Sequence, residues 1–318
     1  MGGRRWAPRT TGRRVAGSAL LAALPWTWFL LRGALGPVTD VLALLLPLVL
    51  GAVVAVAVAV ALRRRRAGAL VVAVSTLLTA VVAVAGPWLP ADAGPVSADE
   101  ALIVAAANVD GQDRPMDALR AVDADLWVVP ELSAAVYFGL TATHPHELLS
   151  ATTPPNVAVF SRYPLQLLEG AGPDLPGQRI RVDGPAGPFV LYALHVPRPW
   201  ILGDTVGYQV SVSEHQRIAE AVAARVARET LPVVVAGDLN STDRGRDYRA
   251  LVPGTGLVDA MRAGVAGPTS VGKWRLLLAR IDHVLVSPGW CGDDPRRVGV
   301  PGSSHRAVTV TVGPCAGP

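Results

Sequence analysis

Polar side chains close several apolar runs in the second half of this chain. Asn108 ends the run 101–108, Glu131 follows 125–130, His195 ends 189–195, and Asp238 and Asn240 follow 231–236 through Gly237. Amide, carboxylate and imidazole are the types that hold hard cations, bind anionic oxygens and carry protons. They act together when strand ends bring them to one rim, where the sheet fixes the backbone and the side chains converge. Taken singly, each has a plainer reading. A histidine after a strand is more often a satisfied structural residue, and Gly237-Asp238-Leu239-Asn240 has the composition of a turn.

The elements that would position these residues alternate in type. Residues 101–108 form a short apolar run, 114–122 have helical spacing, and 125–130 read as a buried strand, which is strand–helix–strand grammar. Residues 156–160 read as a strand, and 178–182 with 189–195 read as a hairpin across Asp183-Gly184-Pro185-Ala186-Gly187-Pro188. Ile218, Val222 and Val226 give the segment 212–229 one apolar helical face, and strands follow at 231–236, 281–286 and 307–312.

The first ninety residues are of another kind. The chain is 51% hydrophobic with a mean hydropathy of +0.37, too apolar for an ordinary soluble protein, and the excess lies in three runs at 15–31, 41–62 and 67–89. Each approaches the roughly 20 residues that a helix needs to cross a bilayer. The expected organisation is therefore a three-helix membrane anchor at 1–90, a Pro- and Gly-bearing linker at 91–100, and a soluble domain at 101–318. The first run is interrupted by Gly17, Pro25 and two tryptophans, and Arg13-Arg14 before it has the look of a twin-arginine signal; a signal peptide is the alternative there.

Charge divides at the same place. Residues 1–66 hold ten arginines against Asp40 alone, a balance of +9, and residues 67–318 carry −5, so the overall +4 belongs to the anchor. A net-negative soluble half lacks the clustered Lys and Arg of a nucleic-acid binder, which disfavours a nuclease without removing it. Five arginines precede the first run and four more occupy Arg63 to Arg66, whereas the loop 32–40 has one. The positive-inside rule then puts the tail and the Arg63–Arg66 loop in the cytoplasm and the soluble half outside. Cys291 and Cys315, the only cysteines, both fall in that half. They form either a disulfide suited to an oxidising compartment or two separate thiols.

Taken in order, seven blocks resemble one family: Asn108, Asp125-Leu126-Trp127-Val128-Val129-Pro130-Glu131, Val157-Ala158-Val159-Phe160-Ser161-Arg162-Tyr163-Pro164, Tyr192-Ala193-Leu194-His195, Gly237-Asp238-Leu239-Asn240, Arg280-Ile281-Asp282-His283 and Ser304-His305-Arg306. The resemblance is to the endonuclease/exonuclease/phosphatase superfamily and spans about 101–312. It implies a four-layer α/β sandwich, two packed mixed β-sheets flanked by helices, that hydrolyses phosphoesters with a divalent metal, Mg²⁺ or alternatively Mn²⁺. Asn108 and Glu131 would hold the metal, a sparse oxygen site of the kind Mg²⁺ accepts. By the same resemblance His305 is the general base or water-positioning histidine and Asp282 orients it. Asp238 and Asn240 align the water and a phosphoryl oxygen, and His195 donates to the phosphoryl oxygens. One position departs from the family's pattern: Ser304 stands where aspartate is usual, which implies weaker metal binding.

The anchor suggests the substrate. A tethered external enzyme meets membrane lipids at high local concentration, so a lipid-linked phosphate or pyrophosphate is the expected partner, with the bilayer itself. The architecture is also similar to the VanJ-type membrane members of the superfamily from actinobacteria, associated with undecaprenyl pyrophosphate. Arg162 is a candidate for neutralising the head group, or else a structural arginine. A surface nuclease, a sphingomyelinase-like phosphodiesterase and a non-catalytic envelope protein are the competing readings. The arginine asymmetry makes a direct prediction. A reporter active only outside the membrane is expected to be active when fused after Pro318 and silent within Arg63–Arg66; the reverse pattern would put the soluble half in the cytoplasm.

Overall fold

The computed structural model describes residues 9–32, 36–64, 67–91, 94–200, 207–270 and 278–317. The chain divides into two compact units, Met1–Pro87 and Trp88–Pro318. Arg4, Arg5, Arg65 and Arg66, on which part of the charge asymmetry rests, lie outside the described residues.

The first unit holds helices α1 (Arg9–Leu31), α2 (Pro37–Arg64) and α3 (Ala67–Ala80), the last continuing through a π turn at Val81–Ala85. Within it the Trp26 indole donates to Ser75 Oγ, and that hydroxyl donates to the Ala22 carbonyl at 2.7 Å, tying α1 to α3. Among the described residues, two of the three expected spans meet the length and apolarity of a membrane helix, Leu42–Arg63 and Ala67–Trp88, each of 22 residues. The expectation of three is corrected at α1, whose apolar part is confined to Ala16–Leu31, short of the roughly 20 residues that a crossing needs. Val56, Leu62, Leu70 and Leu77 are exposed, the outward apolar surface that a core helix would not present.

The second unit is a sandwich. One sheet contains β1 (Leu102–Ala106), β2 (Leu126–Pro130), β3 (His146–Leu149), β4 (Val157–Ser161), β13 (Trp290–Gly299) and β14 (Arg306–Pro314), in the order β13-β14-β1-β2-β4-β3. The other contains β5 (Leu165–Glu169), β6 (Gly177–Gly184), β7 (Gly187–His195), β10 (Val233–Asp238), β11 (Val258–Asp259) and β12 (Asp282–Val286), in the order β11-β12-β10-β7-β6-β5. A small pair, β8 (Arg198–Trp200) and β9 (Gln209–Ser211), stands apart from both.

Period-two alternation builds the layers. Val104, Val128 and Val159 point between the sheets with Ile180, Leu191, Val234 and Val284, and such buried side chains stabilise by roughly 1.5–3 kcal/mol each. Their sequence neighbours Ala105, Trp127, Val129 and Phe160 face outward and pack with Leu119 of α4 (Met116–Arg120) and Val136 and Leu140 of α5 (Ala134–Thr141). On the opposite side Tyr192, Leu194 and Val235 pack with Ile218 and Val222 of α6 (Val212–Val226) and Leu251 of α7 (Arg246–Thr255). Helices thus flank two mixed sheets.

Each sheet has one parallel pair at its centre, β1 with β2 and β7 with β10, and every other pairing is antiparallel. Asn108, Glu131, His195 and Asp238 lie at or just beyond the carboxyl ends of those four strands. Asp282 begins β12, antiparallel to β10, and His305 immediately precedes β14, antiparallel to β1. Pairing therefore delivers Asn108, Glu131 and His305 to one end of the first sheet and His195, Asp238 and Asp282 to one end of the second, and the packing of the two sheets joins them in one rim.

The segment expected as a linker at 91–100 is stitched to the sandwich where it is described. Ala91 N–H donates to Arg262 O, Ser97 N–H to Pro314 O, and Val96 forms a bridge with Cys315. Cys291 and Cys315 form a disulfide across the edge pair β13 and β14.

Gly237 shows how tightly the rim is made. Its φ is 132°, and a Cβ placed on it would come within 2.0 Å of the Leu194 carbonyl oxygen of β7. No side chain fits without moving a backbone that carries His195 one residue later. Gly237→Ala is expected to destabilise the sandwich by about 2 kcal/mol or more, read as a lower denaturation midpoint of its unfolding transition; an unchanged midpoint would mean that the strand gives way easily.

Candidate functional site

The rim encloses a cavity of about 350 Å³ lined by Asn108, Asp110, Glu131, His195, Arg198, Tyr208, Asp238, Asn240, Ser304 and His305, together with Pro154, Asn156 and Gly207. At its floor is Asp238, 1% exposed. Asn108 Nδ2 donates to Asp238 Oδ2 at 3.0 Å and to Glu131 Oε1 at 3.1 Å, clamping the two carboxylates from neighbouring sheets. The Asn240 backbone N–H donates to Asp238 Oδ1 at 2.9 Å, and its side-chain amide to the Val196 carbonyl. Burial pushes the Asp238 carboxyl above the usual range, against the pull of His305.

His305 lies between two acids. Its Nδ1 is 3.0 Å from Asp282 Oδ2 and its Nε2 is 3.8 Å from Asp238 Oδ2. Burial works against a charged imidazole here, but Asp282 and then Asp238 outweigh it and raise the group to about 10. The two carboxylates therefore favour the protonated ring. Ligand atoms of Asp238, Asp282 and His305 also lie within 4.8 Å of one another, the composition of a small cation site. With Nδ1 engaged by Asp282, the proton already supplies positive charge at that spot.

His195 follows the opposite course. Burial lowers its pKa, with His305 and Arg198 adding to the effect, so its ring is neutral at pH 7. Tyr208 packs its ring on the imidazole at 4.8 Å and donates its hydroxyl to the His195 carbonyl. Nδ1 of this buried ring has no hydrogen-bond partner among the described residues, and Nε2 is 3.6 Å from Glu131 Oε1.

Three non-glycine residues of the cavity have left-handed backbones: Asp110 at φ 49°, Glu131 at 52° and Asn240 at 45°. Outside it, only Asp294 does so among the described residues. Such conformations cost of order 1–3 kcal/mol each and persist where surroundings impose them, typically at functional sites. Oxygen chemistry fits a hard cation here. Glu131 Oε2 and Asp110 Oδ1 accept no hydrogen bond among the described residues, although both residues line the cavity.

Beneath the rim, Arg280 is buried with its Nε on Asp243 Oδ2 at 3.0 Å and Nη2 on Asp259 Oδ2 at 2.5 Å; Tyr248 also donates to Asp259. Breaking such a buried pair costs about 3–5 kcal/mol. Thr269 Oγ1 accepts from the backbone N–H groups of Ile281 and Asp282, and the Thr269 carbonyl accepts from Arg306 N–H. These bonds hold the start of β12 against the segment carrying His305.

All seven residues expected at the site line this cavity or, in the case of Asp282, contact His305 beneath it. Arg162 does not. It pairs with Asp123 and with Asp125 at 3.0 Å, away from the cavity, and is a structural arginine. The Lys or Arg that does line the cavity among the described residues is Arg198, three positions after His195. Asp110, Tyr208 and Thr269 were also not singled out by spacing. Only Asp110 carried a signal, an acid two residues after Asn108 and before Gly111.

Comparison with known proteins agrees with this architecture. The endonuclease/exonuclease/phosphatase family model matches residues 105–305. The crystal structure of an endonuclease/exonuclease/phosphatase from Beutenbergia cavernae is similar at 19% identity and TM-score 0.51, over 68% of this chain and 72% of that one. One from Bacteroides vulgatus is similar at 16% identity and TM-score 0.51, over 67% and 99%. A mannosyl-6-phosphatase from Bacteroides thetaiotaomicron aligns at 19% identity and TM-score 0.45, over 66% and 99%. No curated protein matches the chain. At these identities the solved structures speak for the fold, and the family model, matching well over half of the sequence, decides the family: this chain belongs to the endonuclease/exonuclease/phosphatase family.

Proposed function

We propose that the protein is a membrane-anchored, metal-dependent phosphoesterase acting outside the cytoplasmic membrane on a lipid-linked phosphate or pyrophosphate. The observation that carries the chemistry is the cavity itself, where a proton-bearing histidine, a buried carboxylate and a neutral histidine meet open carboxylate oxygens. Glu131, with Asn108 beside it, would hold a divalent cation, Mg²⁺ or Mn²⁺, which when bound supplies charge neutralisation and polarisation of a phosphoryl oxygen.

The chain's own residues divide the proton work. Water attacks phosphorus and forms the new P–O bond, and its proton passes to Asp238, whose burial makes it a better acceptor than an ordinary aspartate. The bond to the leaving oxygen breaks as His305 Nε2–H gives that oxygen a proton, and Asp282 keeps the imidazole in place throughout. Neutral His195 offers an N–H to the phosphoryl oxygens as they gain charge, and Asn240 positions the water. Arg198, exposed at the edge of the cavity, meets the next anionic group of the substrate.

Several features favour a lipid at the outer surface. Helices α2 and α3 have the length and apolarity to cross a bilayer. External placement needs only that α3 cross from a cytoplasmic Arg63–Arg66 loop, so it does not depend on α1. The disulfide suits an oxidising compartment. The net −5 of residues 67–318 disfavours a long polyanion, whereas one head group asks only for the cavity's few cations.

In liposomes with Mg²⁺, the full-length protein is expected to release phosphate from undecaprenyl pyrophosphate, and His305→Ala to slow the release by about 100-fold or more. Ready cleavage of DNA or sphingomyelin with the lipid pyrophosphate untouched would overturn the substrate. The pH profile tests the assignment of His305 as proton donor. Its protonated form is complete at low pH and is lost as pH rises through about 10, so turnover is expected to fall on the alkaline side. Asp282→Asn removes the foremost influence that raises this group, and the alkaline limb should move down towards the ordinary histidine value of about 6.5. A limb that stays in place would assign it to another group.

A further inference from the structure

Trp88 is at once the last residue of the candidate span Ala67–Trp88 and the first of the sandwich unit Trp88–Pro318. No chain is left between the two to act as a spacer. The residues from Trp88 onward are bonded instead to the segment that follows β11. Ala266 N–H donates to the Trp88 carbonyl at 2.9 Å, Arg262 Nε donates to the Leu89 carbonyl at 3.1 Å, and Ala91 N–H donates to the Arg262 carbonyl at 2.8 Å. The half-buried Trp88 ring packs against the apolar layer between the sheets. A bilayer crossed by this span therefore begins where the sandwich begins.

What the sandwich shows at that place is apolar. Across residues 261–270 every position is buried or half-buried except Val265, which is 62% exposed. On the segment bonded to it, Leu89 is 57% exposed and Pro90 is exposed beside it. The backbone on both sides of Val265 is pressed against β13: a Cβ on Gly264 would come within 2.9 Å of Pro295 Cγ, and one on Gly267 within 2.4 Å of Arg297 Cζ. Val265 is thus held outward by its neighbours. Arg262 uses Nε on the Leu89 carbonyl, and its Nη1 and Nη2 have no partner among the described residues. Aliphatic side chains beside a guanidinium with open donors have the composition of a membrane-interface contact, in which apolar tips enter the acyl boundary and the cation meets lipid phosphates.

The same segment leads to the cavity. Four residues after Val265, the Thr269 hydroxyl accepts from Asp282 N–H at 3.0 Å, and the Thr269 carbonyl accepts from Arg306 N–H at 2.7 Å. Four extended residues reach about 14 Å at most, and Asp282 Oδ2 is 3.0 Å from His305 Nδ1. The exposed valine and the residues that hold His305 therefore belong to one short stretch of chain.

We propose that Leu89, Val265 and Arg262 form a contact with the lipid bilayer beside the end of the span, and that residues 265–269 keep the cavity at a fixed, short reach from the lipid head groups. This inference rests on the membrane-anchored reading given above and deepens it, since a phosphoryl group that a lipid presents at the surface then meets the cavity without leaving the membrane.

The test uses the full-length protein, whose only two cysteines are joined in a disulfide, so that one introduced cysteine takes a label alone. Val265→Cys, Leu77→Cys and Phe138→Cys are each labelled with nitrobenzoxadiazole and reconstituted into phosphatidylcholine–phosphatidylglycerol vesicles. Fluorescence is compared with and without lipids that carry a nitroxide quencher near the head-group end of an acyl chain. Leu77 is exposed within the span, and Phe138 is exposed on α5, whose neighbour Tyr137 bonds to Glu147 of β3, the strand at the opposite edge of the sheet from β13. The label at Val265 is expected to be quenched at least about half as strongly as that at Leu77, and the label at Phe138 hardly at all. Quenching at Leu77 with none at Val265 would overturn the inference and leave the span intact. Equal quenching at Val265 and Phe138 would overturn it too, because the sandwich would then meet the bilayer with no preferred face. An unquenched Leu77 removes the membrane-anchored reading, and this inference with it.

Discussion

A carboxylate sealed between two sheets is the condition on which the rest of this site depends. Asp238 is almost wholly withdrawn from water, and a buried charge without partners costs several kcal/mol. Its partners must come from separate parts of the chain: an amide from the end of β1, a backbone N–H from its own turn, and an imidazole from the segment before β14. Each is available only if the sheets pack in register. The same burial makes the aspartate a stronger proton acceptor, while its carboxylate and that of Asp282 hold the proton on His305 against the burial of the ring. Stability and reactivity at this point are two readings of one electrostatic arrangement.

Much of this was legible in the sequence because strands announce themselves and also say where they end. The runs ending at Asn108, Glu131, His195 and Asp238 are short and apolar with a polar residue after them, and the hairpin between β6 and β7 is marked by its Gly-Pro turn. Strand β13 was not legible. Its Gly292, Asp293, Asp294 and Pro295 read as a turn, and the structure accommodates them with a bulge between Asp293 and Arg296. Helix α5 escaped because its eight residues are apolar nearly all round, with no stripe to mark a face.

Charged groups were harder to place than strands. Arg162 lies in a block with family character and Arg198 does not, yet Arg198 reaches the cavity, because the short β8–β9 pair carries it back over the rim while Arg162 turns away to Asp123 and Asp125. Periodicity reports which face of a strand a residue occupies. It does not report where a loop takes a side chain, and Asp110, Tyr208 and Thr269 all depend on loops or turns. The first apolar run shows the same limit at the membrane end, where helix formation was correctly foreseen but the usable apolar length was not.

The parallel strand pairs, one per sheet, have a mechanical consequence. Neither sheet holds the complete set of cavity side chains, so the cavity is a seam between two halves that cohere mainly through the hydrophobic layer of Val104, Val128, Leu191 and Val234. Slippage between the sheets by a fraction of an ångström would separate Asn108 from Asp238 while leaving every strand pairing intact. A site in such an architecture is a strain gauge for the interior, and perturbants that soften packing, such as hydrostatic pressure or mild denaturant, would disperse its side chains before circular dichroism recorded any loss of sheet.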